Sequence, residues 1–61
     1  MNNLNLITGL IHSSKGYSHE VVGVVIGFFD DPEQARRCAN KIRVIAGKTV
    51  DVCGNRLSLS L

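Results

Sequence analysis

Few residues of this chain can carry chemistry: His12, His19, Cys38 and Cys53, the run Ser13-Ser14-Lys15-Gly16, the acids Asp30, Asp31 and Glu33, and the cations Arg36, Arg37, Lys41 and Arg43. Two histidines flanking a polar loop, with a thiol nearby, are the raw material of a zinc site. No pair has ligand spacing such as Cys-x-x-Cys, and structural zinc needs four convergent ligands, so no metal is expected. Cys38 would act as a nucleophile only with a base or a helix N-terminus beside it to form the thiolate. It falls in mid-helix among alanines and isoleucines and reads as a small core hydrophobe; Cys53 precedes a turn and has no activating neighbour in sequence.

Ser13-Ser14-Lys15-Gly16 is superficially similar to a phosphate-binding loop. The Walker order, however, puts Lys after Gly and directly before a helix, whereas here Lys15 precedes Gly16 and a strand is expected next. What remains is an anion held by backbone amides and Lys15. The acids Asp30, Asp31 and Glu33 stand where a helix begins and offset its dipole without further function. No nucleophile, base and oxyanion donor assemble from these residues, so no enzymatic activity and no cofactor are expected.

The element that must position most of these groups runs from Asp31 to Gly47. Asp30 or Asp31 caps it, Pro32 suits the first helical position, Gln34 stands where a capping box would close, and Gly47 supplies the left-handed C-terminal residue. Ala35, Cys38, Ala39, Ile42, Ile45 and Ala46 share one face about 120° wide. The opposite face carries Arg36, Arg37, Lys41, Arg43 and the lone outward Val44, with Glu33 placed to pair with Arg37 at i, i+4.

Around that helix, about 31–46, the chain reads as strands. Met1 to Asn3 form a polar lead-in. Leu4 to Ile11 alternates with period two and is assigned to a first strand; His12 to His19 is a polar connecting loop. Glu20 to Phe29 reads as a second strand apolar on both faces, with Val22, Val24, Ile26 and Phe28 on one and Val21, Val25 and Phe29 on the other. After the helix, 48–53 and 56–61 form a hairpin, with Gly54-Asn55 as the tight turn. The expected fold is α+β, of order ββαββ: a single small domain over 1–61, with a four-stranded, mainly antiparallel sheet and one helix on one face. No internal repeat or linker is visible.

Phe28-Phe29-Asp30-Asp31-Pro32-Glu33-Gln34-Ala35-Arg36-Arg37-Cys38-Ala39-Asn40-Lys41-Ile42-Arg43 resembles the strand-to-helix entry of ferredoxin-like domains and of sporulation-related peptidoglycan-binding repeats. The resemblance covers under a third of the chain. Both folds carry a second helix, and no activity or residue role is taken over from them.

Length and composition narrow the function. A chain of 61 residues buries roughly 60% of the surface its unfolded form exposes, yet 44% of its residues are hydrophobic and its mean hydropathy is +0.12. Such an excess asks for a partner surface, most simply a second copy. A net charge of +2 identifies no partner by itself. Two cysteines build no disulfide framework and no signal peptide is visible, so a reduced, cytoplasmic setting is expected. The apolar run Val21 to Phe29 is far shorter than the roughly 20 residues of a membrane span.

The expected function is therefore a non-catalytic interaction module, a homodimer that modulates or inhibits another protein, of the kind that phages and mobile elements encode. Its partner or dimer interface is expected at Val21, Val25, Phe29, Ile7 and Ile11, because one helix can cover only one side of the sheet. Nucleic-acid binding through Arg36, Arg37, Lys41, Arg43 and Lys48 is the alternative, although the chain has only Tyr17, Phe28 and Phe29 for base stacking. A third possibility is a dimer cleft in which Lys15, His12, His19 and Tyr17 hold an anionic metabolite or nucleotide.

Overall fold

The computed structural model describes residues 3–61, so Met1 and Asn2 of the polar lead-in lie outside the described residues. The element order is α1 (Asn3–Ser13), β1 (Tyr17–Val21), β2 (Val24–Phe28), α2 (Pro32–Ile45), β3 (Asp51–Cys53) and β4 (Arg56–Ser60). The class is α+β and the sheet is four-stranded and antiparallel throughout, in the order β1-β2-β4-β3. β2 and β3 therefore run parallel with β4 between them, and α2 makes the crossover of a split β-α-β unit. Each half of the chain is one helix followed by one hairpin, and the halves join through β2 and β4, so the topology repeats where the sequence does not.

The first departure from expectation is α1. The segment 4–11, assigned above to a strand, is helical, and the one-helix order ββαββ becomes α-β-β-α-β-β. Leu4, Ile7 and Ile11 recur at helical spacing as well as fitting the alternation of Leu4, Leu6, Thr8 and Leu10. The helical set prevails because it buries: Ile7 and Ile11 are fully enclosed, and Leu4 and Leu10 pack against the core, whereas Leu6 is exposed. The helix ends in a Schellman motif, in which the Gly16 amide donates to the Ile11 carbonyl at 2.9 Å and the Lys15 amide to the His12 carbonyl at 3.0 Å. Lys15 takes the left-handed position of that motif, with φ +64°.

The second departure is the strand expected over 20–29. Val22 and Gly23 both have positive φ, +45° and +78°, and fold it into a hairpin of β1 and β2 with Val21 opposite Val24. Positive φ at both central residues is the geometry of a type I′ turn. A β-branched residue is costly there, and Val22 is 97% exposed, so no packing offsets the strain. Val22→Asn, which creates the preferred Asn-Gly pair, is expected to raise stability by about 1 kcal/mol in urea unfolding.

The signals around α2 hold. Asp31 is the N-cap and accepts from the Glu33 amide at 3.0 Å, Pro32 opens the helix, and Gly47 follows with φ +66°. The capping box does not close, since Gln34 Oε1 is buried without a hydrogen-bond partner. Ala35, Cys38, Ala39 and Ile42 are fully buried, while Ile45 turns out to solvent and Val44 points outward as its position on the wheel predicts. At the second hairpin only Gly54 of the central pair has positive φ, as a type II′ turn requires.

Both helices lie on the same face of the sheet, α1 over β1 and β2, α2 over β3 and β4, and they touch each other. The core between helices and sheet joins Ile7 and Ile11 of α1, Ala35, Cys38, Ala39 and Ile42 of α2, and Val25, Phe29, Val50, Leu57 and Leu59. Gly27 of β2 allows the close approach of α1: a Cβ there would lie 3.2 Å from both Ile11 Cδ1 and Leu57 Cδ1.

Candidate functional site

No helix among the described residues lies over the other face of the sheet. Because Val25, Gly27, Leu57 and Leu59 point into the core, the alternate residues of β2 and β4 point away from it. The register then places three cross-strand rows on the open face: Tyr17, Phe28, Arg56 and Cys53; His19, Ile26, Ser58 and Asp51; Val21, Val24 and Ser60. Tyr17 is 68% exposed, Val21 45% and Phe28 42%. Tyr17 and Phe28 are directly opposed, an aromatic cross-strand pair, and Arg56 flanks Phe28 from the other side.

The interface residues expected from sequence fall elsewhere. Ile7, Ile11, Val25 and Phe29 are core residues between 0 and 4% exposed, out of reach of any partner in this fold. Only Val21 of that set is exposed, and the turn at Val22-Gly23 moves it to the face of Val24 rather than that of Val25. The expectation inverted the two faces of β2. It allowed a single helix as cover, whereas two helices shelter the Val25 side and leave Val24, Ile26 and Phe28, assigned to the covered side, in the open.

The basic face of α2 is exposed as expected, but part of its charge is engaged within the fold. Arg43 donates from Nη2 to the Val50 carbonyl at 2.7 Å and from Nη1 to Asn40 Oδ1 at 3.0 Å, which ties the end of α2 to the approach to β3. Arg37 pairs with Glu33 at 3.4 Å between largely exposed side chains. Arg36, Lys41 and Val44 project without such contacts among the described hydrogen bonds.

The residues proposed to share an anion cleft are split between the two sides of the sheet. His12, on α1, is hydrogen-bonded to Ser18 at 3.1 Å on the helix side, while Tyr17 and His19 are on the open side. Lys15 instead faces α2 across a cleft of about 370 Å³ lined by Ser13, Ser14, Gln34, Arg37 and Lys41 as well. Cys38 lies beneath this region. Burial pushes its thiol pKa up, opposed by a hydrogen bond from Ser14 and by the Lys41 charge, so the neutral thiol is held in the core. Cys53 is exposed at the end of the open face.

Sequence reading could have reached the open face through one signal, the helical spacing of Leu4, Ile7 and Ile11 that marks a second helix, because β2 is apolar on both sides and gives no signal of its own. Among the described residues no group of three or more His, Cys, Asp or Glu side chains is gathered as a metal site would require, and no helix is long and apolar enough to cross a membrane. Comparison with protein-family models, curated proteins and solved structures gives no match.

Proposed function

We propose that the protein is a non-catalytic binding module that pairs with a second copy of itself through the helix-free face of its sheet and acts by docking on another protein. The observation that carries this reading is the set Tyr17, Val21, Val24, Ile26 and Phe28 on a face that no element among the described residues covers. Sheet faces that remain in water alternate apolar-in and polar-out, and here the central strand β2 is apolar on both sides. A second copy offers the simplest cover, because a twofold pairing lays like on like.

The same face bears an aromatic pair beside an arginine, the ingredients of a platform for single-stranded nucleic acid. Its charge decides against that use. Arg56 and Asp51 offset each other, the remaining residues of the three rows are neutral or histidine, and phosphate contacts dominate nucleic-acid affinity.

Sedimentation of the full chain across the micromolar range tests the proposal. A dimer is expected, and Ile26→Glu or Phe28→Glu is expected to yield a monomer with unchanged far-ultraviolet circular dichroism, since both side chains point away from the core. A wild-type chain that remains monomeric at hundreds of micromolar would overturn the self-pairing.

A further inference from the structure

We infer that the cleft between the C-terminal turn of α1 and the flank of α2 is a binding site for a small phosphorylated ligand, with Lys15, Arg37 and Lys41 as its phosphate-holding residues. The cleft is lined by Ser13, Ser14, Lys15, Gln34, Arg37 and Lys41, so three cations line it and no carboxylate does. Positions 34, 37 and 41 follow the i, i+3, i+7 spacing that puts them on one stripe of α2. The end of α1 supplies Lys15 from the facing side. At about 370 Å³ the cleft lies within the range of ligand pockets and is large enough for more than a bare ion.

Three like charges around one small cleft repel one another, and little within the fold relieves them. Glu33 pairs with Arg37 at 3.4 Å, but both side chains are more than half exposed and such a pair is weak. The side chains of Lys15 and Lys41 make no hydrogen bond or ion pair among the described residues. A phosphate monoester or diphosphate carries about two or more negative charges near neutral pH, which matches this set where a singly charged carboxylate does not. The Ser13 hydroxyl donates to the Gly9 carbonyl at 2.8 Å, so the donors available to a ligand are chiefly the three cations.

Lys15 has a second peculiarity. It occupies the left-handed position of the Schellman motif, where glycine is the least strained residue, and the chain's glycine stands one place later. Gly16 is fixed there by the Phe29 ring, which a Cβ would strike. A cation that lines the cleft thus stands at a strained position, and Lys15→Gly separates the two roles because it relieves the backbone while removing the charge.

Nitrogen-15 chemical-shift titrations of the full chain with inorganic pyrophosphate, adenosine 5′-diphosphate and adenosine, at constant ionic strength, test the inference. Saturable shifts are expected at Ser13 to Gly16 and at Gln34, Arg37 and Lys41 with both phosphorylated probes and not with adenosine. Tighter binding of the nucleotide than of pyrophosphate assigns the site to nucleotides, and the reverse assigns it to free polyphosphates. Lys41→Gln is expected to weaken binding about tenfold, and Lys15→Gly to weaken it similarly while raising the melting temperature. The inference is overturned by the absence of saturation at millimolar probe, by shifts centred on Arg36 and Arg43 instead of the cleft, or by unchanged affinity in both variants. Binding of a single-stranded oligonucleotide in preference to pyrophosphate and adenosine 5′-diphosphate likewise overturns it.

Discussion

Ile11→Ala is expected to lower the free energy of unfolding by about 2–5 kcal/mol, read as a reduced urea midpoint at unchanged slope. Ile11 is fully buried where α1 meets the sheet, against a glycine that lets it approach and beside Leu57. Shortening it leaves a void that neither Gly27 nor the opposing leucine can fill. A domain of this length has about 3–9 kcal/mol of stability in all, so the loss runs from about a fifth of it to the whole. Ile26→Ala on the same sheet, but on the open face, is expected to change monomer stability by under about 1 kcal/mol. The contrast distinguishes the observed arrangement of β2 from the inverted one, in which Ile26 would be the interior residue. Equal losses at both positions would contradict the helix-covered and open faces described here.

Gly16→Ala is expected to destabilise by about 1–3 kcal/mol, the usual range for an extra atom forced into a packed interior. A Cβ at position 16 would sit within 2.8 Å of Cδ2 and Cζ of Phe29 and closer still to Cε2. The ring cannot swing aside, because Phe29 is 4% exposed within the core. The loop cannot lift away without breaking the bond from the Gly16 amide to the Ile11 carbonyl that closes α1. Lys15→Gly provides the opposite sign at the neighbouring residue, an expected gain of about 1 kcal/mol from removing a side chain at positive φ. Calorimetric melting of the two variants checks both, and a Gly16→Ala variant as stable as the parent would show that Phe29 is not packed against the loop as described.

These two positions also show where sequence reading reaches its limit. Gly16 is legible as a chain breaker, but not as the residue on which a phenylalanine packs thirteen places later, because close approach is a property of the assembled core. Ile11 is legible as apolar, but its segment satisfies a period of two through Leu4, Leu6, Thr8 and Leu10 as readily as a helical period through Leu4, Ile7 and Ile11. Which set is buried depends on what the segment packs against. Val22-Gly23 hides a hairpin for a related reason: valine is a poor turn residue, so the run from Val21 to Phe29 reads as one strand.

The features legible along the chain alone are local ones. The cap at Asp31, the proline after it, the buried stripe from Ala35 to Ile42, Gly47 past the end of α2 and the turn at Gly54 each rest on backbone preferences or helical spacing that act within a few residues. Tertiary structure decided which side of β2 faces water, and with it the candidate interaction surface. An apolar strand has no intrinsic inside, and the arrival of a second helix over Val25 and Phe29 left Val24 and Ile26 half-buried and Phe28 exposed on the uncovered side. The same packing drew Lys15 to Arg37 and Lys41 and parted it from His19 and Tyr17, because the sheet stands between residues that are neighbours along the chain.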